Sequence, residues 1–119
     1  MIFTNCAQPD LGMKRVFVVN EKFTVLQSLY RWFLFKGCEV NAFSTPQYLF
    51  QALKNTLPDV IVIDASLRCE DGSHLETYLK NKFGEEVLVV LFPASPGQSK
   101  NARLEDAFAD LLPQGFAVY

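Results

Sequence analysis

Apolar residues in this chain alternate between continuous runs and helical spacing. Continuous runs are typical of strands buried on both faces of a sheet, and they lie at residues 16–19, 60–63 and 87–92. Residues 39–43 are predicted to form a further, short strand. Apolar residues three and four positions apart predict helices over about 22–36, 44–57 and 75–84. We predict a weaker helix over 98–107 and a short fifth strand at Leu111-Leu112.

Local signals support the first two helices. The apolar stripe of the first helix comprises Leu26, Leu29, Tyr30 and Phe33. Gly37 is expected to end this helix, because glycine adopts the left-handed conformation that helix ends favour. Ser44 and Gln47 have the spacing of a capping box, which predicts the start of the second helix there. Pro58 is expected to end it.

Strands and helices that alternate along the chain predict one α/β domain. We expect a doubly wound, five-stranded parallel sheet of flavodoxin-like order, with helices on both faces. In such a sheet the ligand crevice lies at the carboxyl ends of the strands. Residues 14–119 are expected to form this domain, and residues 1–13 are interpreted as an N-terminal extension.

Composition narrows the classes of function. The chain has 119 residues and a formal net charge of −2, and it shows no basic stripe, so we expect no nucleic-acid partner. No apolar stretch approaches the length of a membrane span, so we expect no membrane association. Cys6, Cys38 and Cys69 have no zinc-type spacing, and free thiols favour a cytoplasmic location.

Two carboxylates follow neighbouring strands in the predicted sheet. Glu21 lies just after the first strand and Asp64 directly after the third. Two carboxylates with backbone oxygens suit a hard cation such as Mg²⁺. A purely structural role stays open, with Glu21 near a helix start and Asp64 in a turn. No glycine-rich phosphate loop follows the first strand, which argues against a nucleotide-binding enzyme.

From about Lys14 to Phe116 the chain resembles the receiver domain of bacterial response regulators. The matching segments, in order, are Val18-Val19-Asn20-Glu21, Pro58 to Asp64, Asp71-Gly72, and Ala107 to Phe116. The resemblance implies that a sensor histidine kinase or phosphotransfer protein donates a phosphoryl group to Asp64. It also implies an Mg²⁺ ion held by Glu21, Asp64 and the carbonyl of Ser66, with catalysis by positioning and charge neutralisation.

Several positions depart from the family pattern. Asn20 replaces one acid of the metal-binding pair and is at most a weak ligand. Pro93 stands at the position of a threonine or serine, and Gln114 at that of a lysine. Arg68 lies where a proline is usual. We expect it either to supply the positive charge that the lysine position lacks or to be a solvated loop residue. We therefore expect an atypical signalling receiver rather than an enzyme. The alternative is a pseudo-receiver that acts without phosphorylation as a module for protein interaction or dimerisation.

The C-terminal end of the predicted domain is short. Only three residues follow Phe116, so the fifth helix of the receiver pattern is expected to be short or missing. In that topology the fifth helix packs beside the first. Because Trp32 and Phe35 lie on the first helix away from its core stripe, we expect this face to bind a protein partner or a second copy, or to be covered by residues 1–13.

Overall fold

A computed structural model describes residues 14–92 and 116–118 of the chain. Within them the chain forms five strands and three helices. The strands are β1 (Arg15–Val19), β2 (Glu39–Phe43), β3 (Val60–Ile63), β4 (Leu88–Leu91) and β5 (Ala117–Val118). The helices are α1 (Phe23–Phe35), α2 (Pro46–Leu53) and α3 (Leu75–Phe83). The predicted strand at 111–112, the predicted helix at 98–107 and the extension at 1–13 lie outside the described residues.

The five strands form one sheet in the order β2-β1-β3-β4-β5. Strands β1 to β4 are parallel, and β3 lies at the centre of the sheet. Val19 of β1 is the register partner of Ile63 of β3. This architecture and strand order confirm the predicted fold class, with one correction. Strand β5 runs antiparallel to β4, so the prediction of a wholly parallel sheet is wrong at this edge. An antiparallel edge strand needs no crossover helix, and such strands are common on otherwise parallel sheets.

Alternation along the strands divides the core between the two faces of the sheet. Val16 and Val18 of β1 face the α1 side, whereas Phe17 and Val19 face α2 and α3. Strands β1, β3 and β4 are buried along almost their whole length, because helices cover both faces. Their apolar runs are therefore continuous, which made them recognisable in the sequence.

Helix α1 ends as predicted at a glycine. Gly37 has φ +88°, and its N–H donates to the Leu34 carbonyl at 2.9 Å. The N–H of Cys38 donates to the Phe33 carbonyl at 3.0 Å, which completes a Schellman motif. Of the predicted stripe, Leu26, Leu29 and Phe33 are buried. The prediction is wrong for Tyr30, which is 37% exposed because it lies about 60° from Phe33 on the helix surface.

Helix α2 has a different cap from the predicted Ser44/Gln47 pair. Its N-cap is Thr45, whose Oγ1 accepts a hydrogen bond from the N–H of Tyr48 at 3.4 Å. Pro46 occupies the first turn, where its missing N–H costs nothing. The helix ends at Leu53 rather than at Pro58. The following residues form turns, with the N–H of Asn55 donating to the carbonyl of Ala52.

Candidate functional site

The ends of β1 and β3 place Asn20 and Asp64 side by side. Val19 and Ile63 are register partners, and each of the two polar residues directly follows one of them. Neighbouring strands are about 4.8 Å apart, so the two backbones run close together at this edge. The N–H of Phe92, just after β4, donates to the Ile63 carbonyl at 2.9 Å. The carboxyl ends of the strands therefore converge around Asp64.

Asn20 is a buried polar residue with a half-satisfied side chain. It is 1% exposed, and its Oδ1 accepts a hydrogen bond from the N–H of Lys22 at 2.8 Å. Its main-chain N–H donates to the Phe43 carbonyl at 3.2 Å. Its Nδ2 is buried without a hydrogen-bond partner. Asn20 thus shapes the turn into α1 and presents an unused donor at the strand edge, where the resemblance would have an acid.

Asp64 is half-buried and forms a turn with the residues that follow it. Its Oδ1 accepts a hydrogen bond from the N–H of Ser66 at 2.9 Å. Its main-chain carbonyl accepts one from the N–H of Leu67 at 3.0 Å. This turn fixes the orientation of the carboxylate. Among the described residues, no hydrogen bond reaches the other carboxylate oxygen. That oxygen is the one available for chemistry or for a cation.

Glu21 lies on the exposed turn between β1 and α1. Helix α1 begins at Phe23 with Lys22 as its N-cap, so Glu21 lies two residues before the first helical residue. The residue lies at the same edge of the sheet as Asp64, and the proximity of the two carboxylates stays a prediction. Within residues 14–92 and 116–118 no cluster of three or more His, Cys, Asp or Glu residues exists. A cation here would depend on two carboxylates supplemented by carbonyl or amide oxygens.

Arg68 does not direct its charge at Asp64. Its Nη1 donates to the carbonyls of Ala65 at 3.0 Å and Leu67 at 3.2 Å. The guanidinium therefore ties together the main chain of the loop that follows Asp64. Arg68 is an exposed loop residue, which agrees with the second of the two expectations, and its guanidinium also binds the loop backbone.

Asp71 and Gly72 shape the second half of the same loop. Asp71 Oδ1 accepts hydrogen bonds from the Ser73 Oγ–H at 2.7 Å and the Ser73 N–H at 2.9 Å. These two bonds hold the pKa of the Asp71 carboxyl below its usual value. Gly72 has φ +89°, which lets the chain reverse before α3. The pair thus has a local structural role in this loop.

Glu76, which the sequence analysis did not single out, is a buried carboxylate in the first turn of α3. It is 7% exposed, and one of its oxygens, Oε1, has no hydrogen-bond partner. Its Oε2 lies 3.8 Å from Nδ1 of His74. Its position next to Leu75 gave no signal of burial, because consecutive helical residues lie about 100° apart around the axis.

The remaining predicted site residues, Pro93 and Gln114, lie outside the described part of the chain. Within that part, no helix is both long enough and apolar enough to span a bilayer.

Comparisons with known proteins identify the fold. No protein-family model and no curated protein matches the chain. The beryllofluoride-activated NtrC4 receiver domain dimer, a solution structure, is similar with a TM-score of 0.55 and 21% sequence identity. A crystal structure of an uncharacterized protein from Neptuniibacter caesariensis has a TM-score of 0.49 and 24% identity.

The two similarities cover only part of each protein. The NtrC4 alignment spans 66% of this chain and 64% of the other, and the second spans 59% and 50%. The chain thus matches between half and about two thirds of the length of these structures. The NtrC4 similarity shows that the chain has the fold of a receiver domain.

Proposed function

We propose that this receiver-fold chain is an atypical receiver of a two-component phosphorelay, with Asp64 as a slow phosphoacceptor. The observation that carries the proposal is the position of Asp64. It directly follows the central strand β3, is half-buried, and has one carboxylate oxygen oriented by the Ser66 N–H. The donor would be a sensor histidine kinase or a phosphotransfer protein. The domain is then a signalling element rather than an enzyme.

The proposed reaction is a single phosphoryl transfer. A carboxylate oxygen of Asp64 attacks the phosphorus of a phosphohistidine on the donor, and an O–P bond forms as the P–N bond breaks. The departing imidazole nitrogen keeps the electron pair and takes a proton from solvent. In such transfers the protein contributes chiefly by positioning and charge stabilisation. The turn from Asp64 to Leu67 supplies the positioning here.

The oxygen groups near Asp64 suit Mg²⁺, although they include only two carboxylates. Glu21, Asp64 and the Ser66 carbonyl would hold the ion, since Mg²⁺ prefers hard oxygen ligands. When bound, the ion would neutralise charge on the phosphoryl oxygens. Asn20 can add only a neutral amide oxygen, and that oxygen already accepts the Lys22 N–H. We therefore expect weak Mg²⁺ binding and slow phosphoryl uptake.

A cytoplasmic location accompanies this proposal. Cys38 and Cys69 are free thiols, and free thiols persist in reducing compartments. The thiol of Cys38 is also buried, and burial raises its pKa, which keeps it protonated and unreactive at neutral pH. A histidine kinase domain that phosphorylates this chain would act in the same compartment.

The second candidate is a pseudo-receiver that binds protein partners without phosphorylation. Two observations favour it. Asn20 places an uncharged, buried amide where the receiver pattern has an acid, and Arg68 binds the loop carbonyls of Ala65 and Leu67 instead of balancing charge at Asp64. Both features reduce the electrostatic support for a phosphoryl group, which is usually the largest part of such catalysis.

A mass measurement with a matched control tests the primary proposal. The protein is incubated with Mg²⁺ and acetyl phosphate, and its intact mass is followed over time. We expect slow addition of one phosphoryl group, which is lost in Asp64→Asn. Asp59→Asn is the control, because exposed Asp59 lies at the opposite end of β3. Complete absence of the adduct would instead support the pseudo-receiver.

A further inference from the structure

The side-chain amide of Asn20 is buried and has a fixed orientation. Asn20 is 1% exposed, and its Oδ1 accepts a hydrogen bond from the main-chain N–H of Lys22 at 2.8 Å. A main-chain N–H can only donate, so the side-chain atom that accepts this bond must be the amide oxygen, and the other terminal atom must be the nitrogen. The turn into α1 therefore determines where the –NH₂ group lies.

The –NH₂ group of Asn20 has two N–H donors and no acceptor among the described residues. Burying an amide donor without a partner is unfavourable, because the donor loses its hydrogen bonds to water. Unpaired groups of this kind are few in native proteins, and a functional role is one of their explanations. The burial of this donor is explained if its acceptor arrives on a group that binds or becomes attached nearby.

Asp64 is the neighbouring residue at which such a group can become attached. Val19 and Ile63 are register partners, and both side chains pack on the α2 and α3 side of the sheet. Side chains alternate between the two faces along a strand, so the next residues, Asn20 and Asp64, both project toward the opposite side. The two chains are about 4.8 Å apart here, because they continue neighbouring strands. The buried donor and the Asp64 carboxylate therefore belong to adjacent side chains on the same side of the sheet.

We infer that Nδ2 of Asn20 donates a hydrogen bond to a phosphoryl oxygen of phosphorylated Asp64. The inference rests on the proposed function, since it requires Asp64 to take up a phosphoryl group. Phosphorylation extends the Asp64 side chain and adds three strong acceptor oxygens beside a buried donor that has no acceptor. A hydrogen bond to a charged acceptor is about twice as strong as one between neutral groups. Asn20 thus acts as a fixed donor that holds the phosphoryl group.

A neutral donor at this position changes the dependence of phosphorylation on Mg²⁺. An acid in place of Asn20 repels the phosphoryl group unless a cation balances the charge, whereas the amide attracts that group with or without a cation. Uptake by the wild type should therefore continue when Mg²⁺ is removed. Asn20→Asp keeps the size of the side chain and an oxygen for the Lys22 N–H, but it loses the donor and adds a charge. Uptake by this variant should therefore require Mg²⁺.

Phosphoryl uptake from acetyl phosphate, measured in Mg²⁺ and in EDTA by intact mass, tests the inference. In this reaction an oxygen of Asp64 bonds to phosphorus, and acetate leaves with the electron pair of the broken P–O bond. We expect the wild type in EDTA to react within about tenfold of its rate in Mg²⁺. Asn20→Ala, which removes the donor without adding a charge, should lose at least about tenfold in EDTA. Asn41→Ala alters an exposed asparagine on the edge strand β2 and should react like the wild type.

Nuclear magnetic resonance of the side-chain amides distinguishes this hydrogen bond from a purely structural role of Asn20. On phosphorylation of isotope-labelled wild-type protein, the Nδ2 protons of Asn20 should shift downfield, as expected for donation to a charged oxygen. The corresponding protons of exposed Asn41 should not shift. The spectra of Asn20→Asp and Asn41→Asp assign the signals. Because this measurement uses the wild-type protein, it decides the question even if circular dichroism shows that Asn20→Ala is unfolded.

The inference and the proposed function fail in different ways. Wild-type uptake that occurs in Mg²⁺ and is abolished by EDTA overturns the inference and leaves Asp64 a phosphoacceptor. Equal uptake by the wild type and folded Asn20→Ala in EDTA has the same meaning, as do Asn20 amide signals that phosphorylation does not shift. Absence of uptake both with and without Mg²⁺ overturns the proposed function, and the inference with it.

Discussion

The substitution Asn20→Asp should make the stability of this domain depend on Mg²⁺. It replaces the unpartnered Nδ2 with an oxygen and adds a negative charge beside Asp64. Two unit charges about 5 Å apart at an effective dielectric constant of about 20 repel each other by about 3 kcal/mol. Because Asp64 is only half-buried, solvent reduces this figure, and we expect a loss of about 1–3 kcal/mol without Mg²⁺.

A loss of that size is measurable by thermal unfolding. For a domain of this length it lowers Tm by roughly 5–15 °C in the presence of EDTA. Bound Mg²⁺ would remove the repulsion and add a third carboxylate ligand, so Tm should recover as Mg²⁺ is added. At an Mg²⁺ concentration of about 100 times its dissociation constant, the recovery amounts to about 2.7 kcal/mol. The wild-type Tm should respond far less to the same titration.

Asn41→Asp is the matched control, because Asn41 is an exposed asparagine on the edge strand β2. Its Tm should not depend on Mg²⁺ beyond the wild-type response. An Asn20→Asp variant that loses no stability in EDTA would rule out the expected charge repulsion. Equal responses of Tm to Mg²⁺ in Asn20→Asp and the wild type would rule out the expected gain in Mg²⁺ binding.

Three further predictions concern the core and the loops. Phe33→Ala should lower the free energy of unfolding by about 3–5 kcal/mol in a urea titration, because the side chain is wholly buried. At pH 8, iodoacetamide should alkylate half-buried Cys69 well before Cys38, because burial raises the pKa of the Cys38 thiol. Peptide mass mapping measures the two alkylation rates, and equal rates would contradict the prediction. Ser73→Ala should return the pKa of Asp71 toward its usual value of about 3.9, measured by NMR of the carboxyl carbon. The pKa of Asp71 is lower in the folded than in the unfolded protein, so its stabilisation is present above about pH 4 and is lost as the pH falls through the lowered pKa. The free energy of unfolding of Ser73→Ala should therefore depend less on pH in the acid range.

The main elements of the fold follow from the sequence because of their burial. Strands covered on both faces need continuous apolar runs, so β3 was predicted with its observed bounds, Val60–Ile63. The parallel pairing of β1 with β3 then placed Asp64 beside the end of β1. The end of α1 was also predictable, since the left-handed φ of Gly37 is a local property.

Other features depend on tertiary context that the sequence pattern does not encode. Tyr30 has the spacing of the core stripe but lies at its border, so the position of the helix over the sheet decides its exposure. The path of the loop after Asp64 determines that Arg68 binds the carbonyls of Ala65 and Leu67. The burial of Asn20 and the orientation of its amide likewise depend on the turn into α1.

We propose that Asp64 is a phosphoacceptor and that Asn20 weakens the charge balance around it. The most direct measurement compares phosphoryl uptake from acetyl phosphate and Mg²⁺ in the wild type and in Asn20→Asp, followed by intact mass. We predict slow uptake by the wild type and uptake at least about tenfold faster in Asn20→Asp, which Asp64→Asn abolishes in both. Rapid stoichiometric uptake by the wild type, or no uptake by either protein, would contradict the claim.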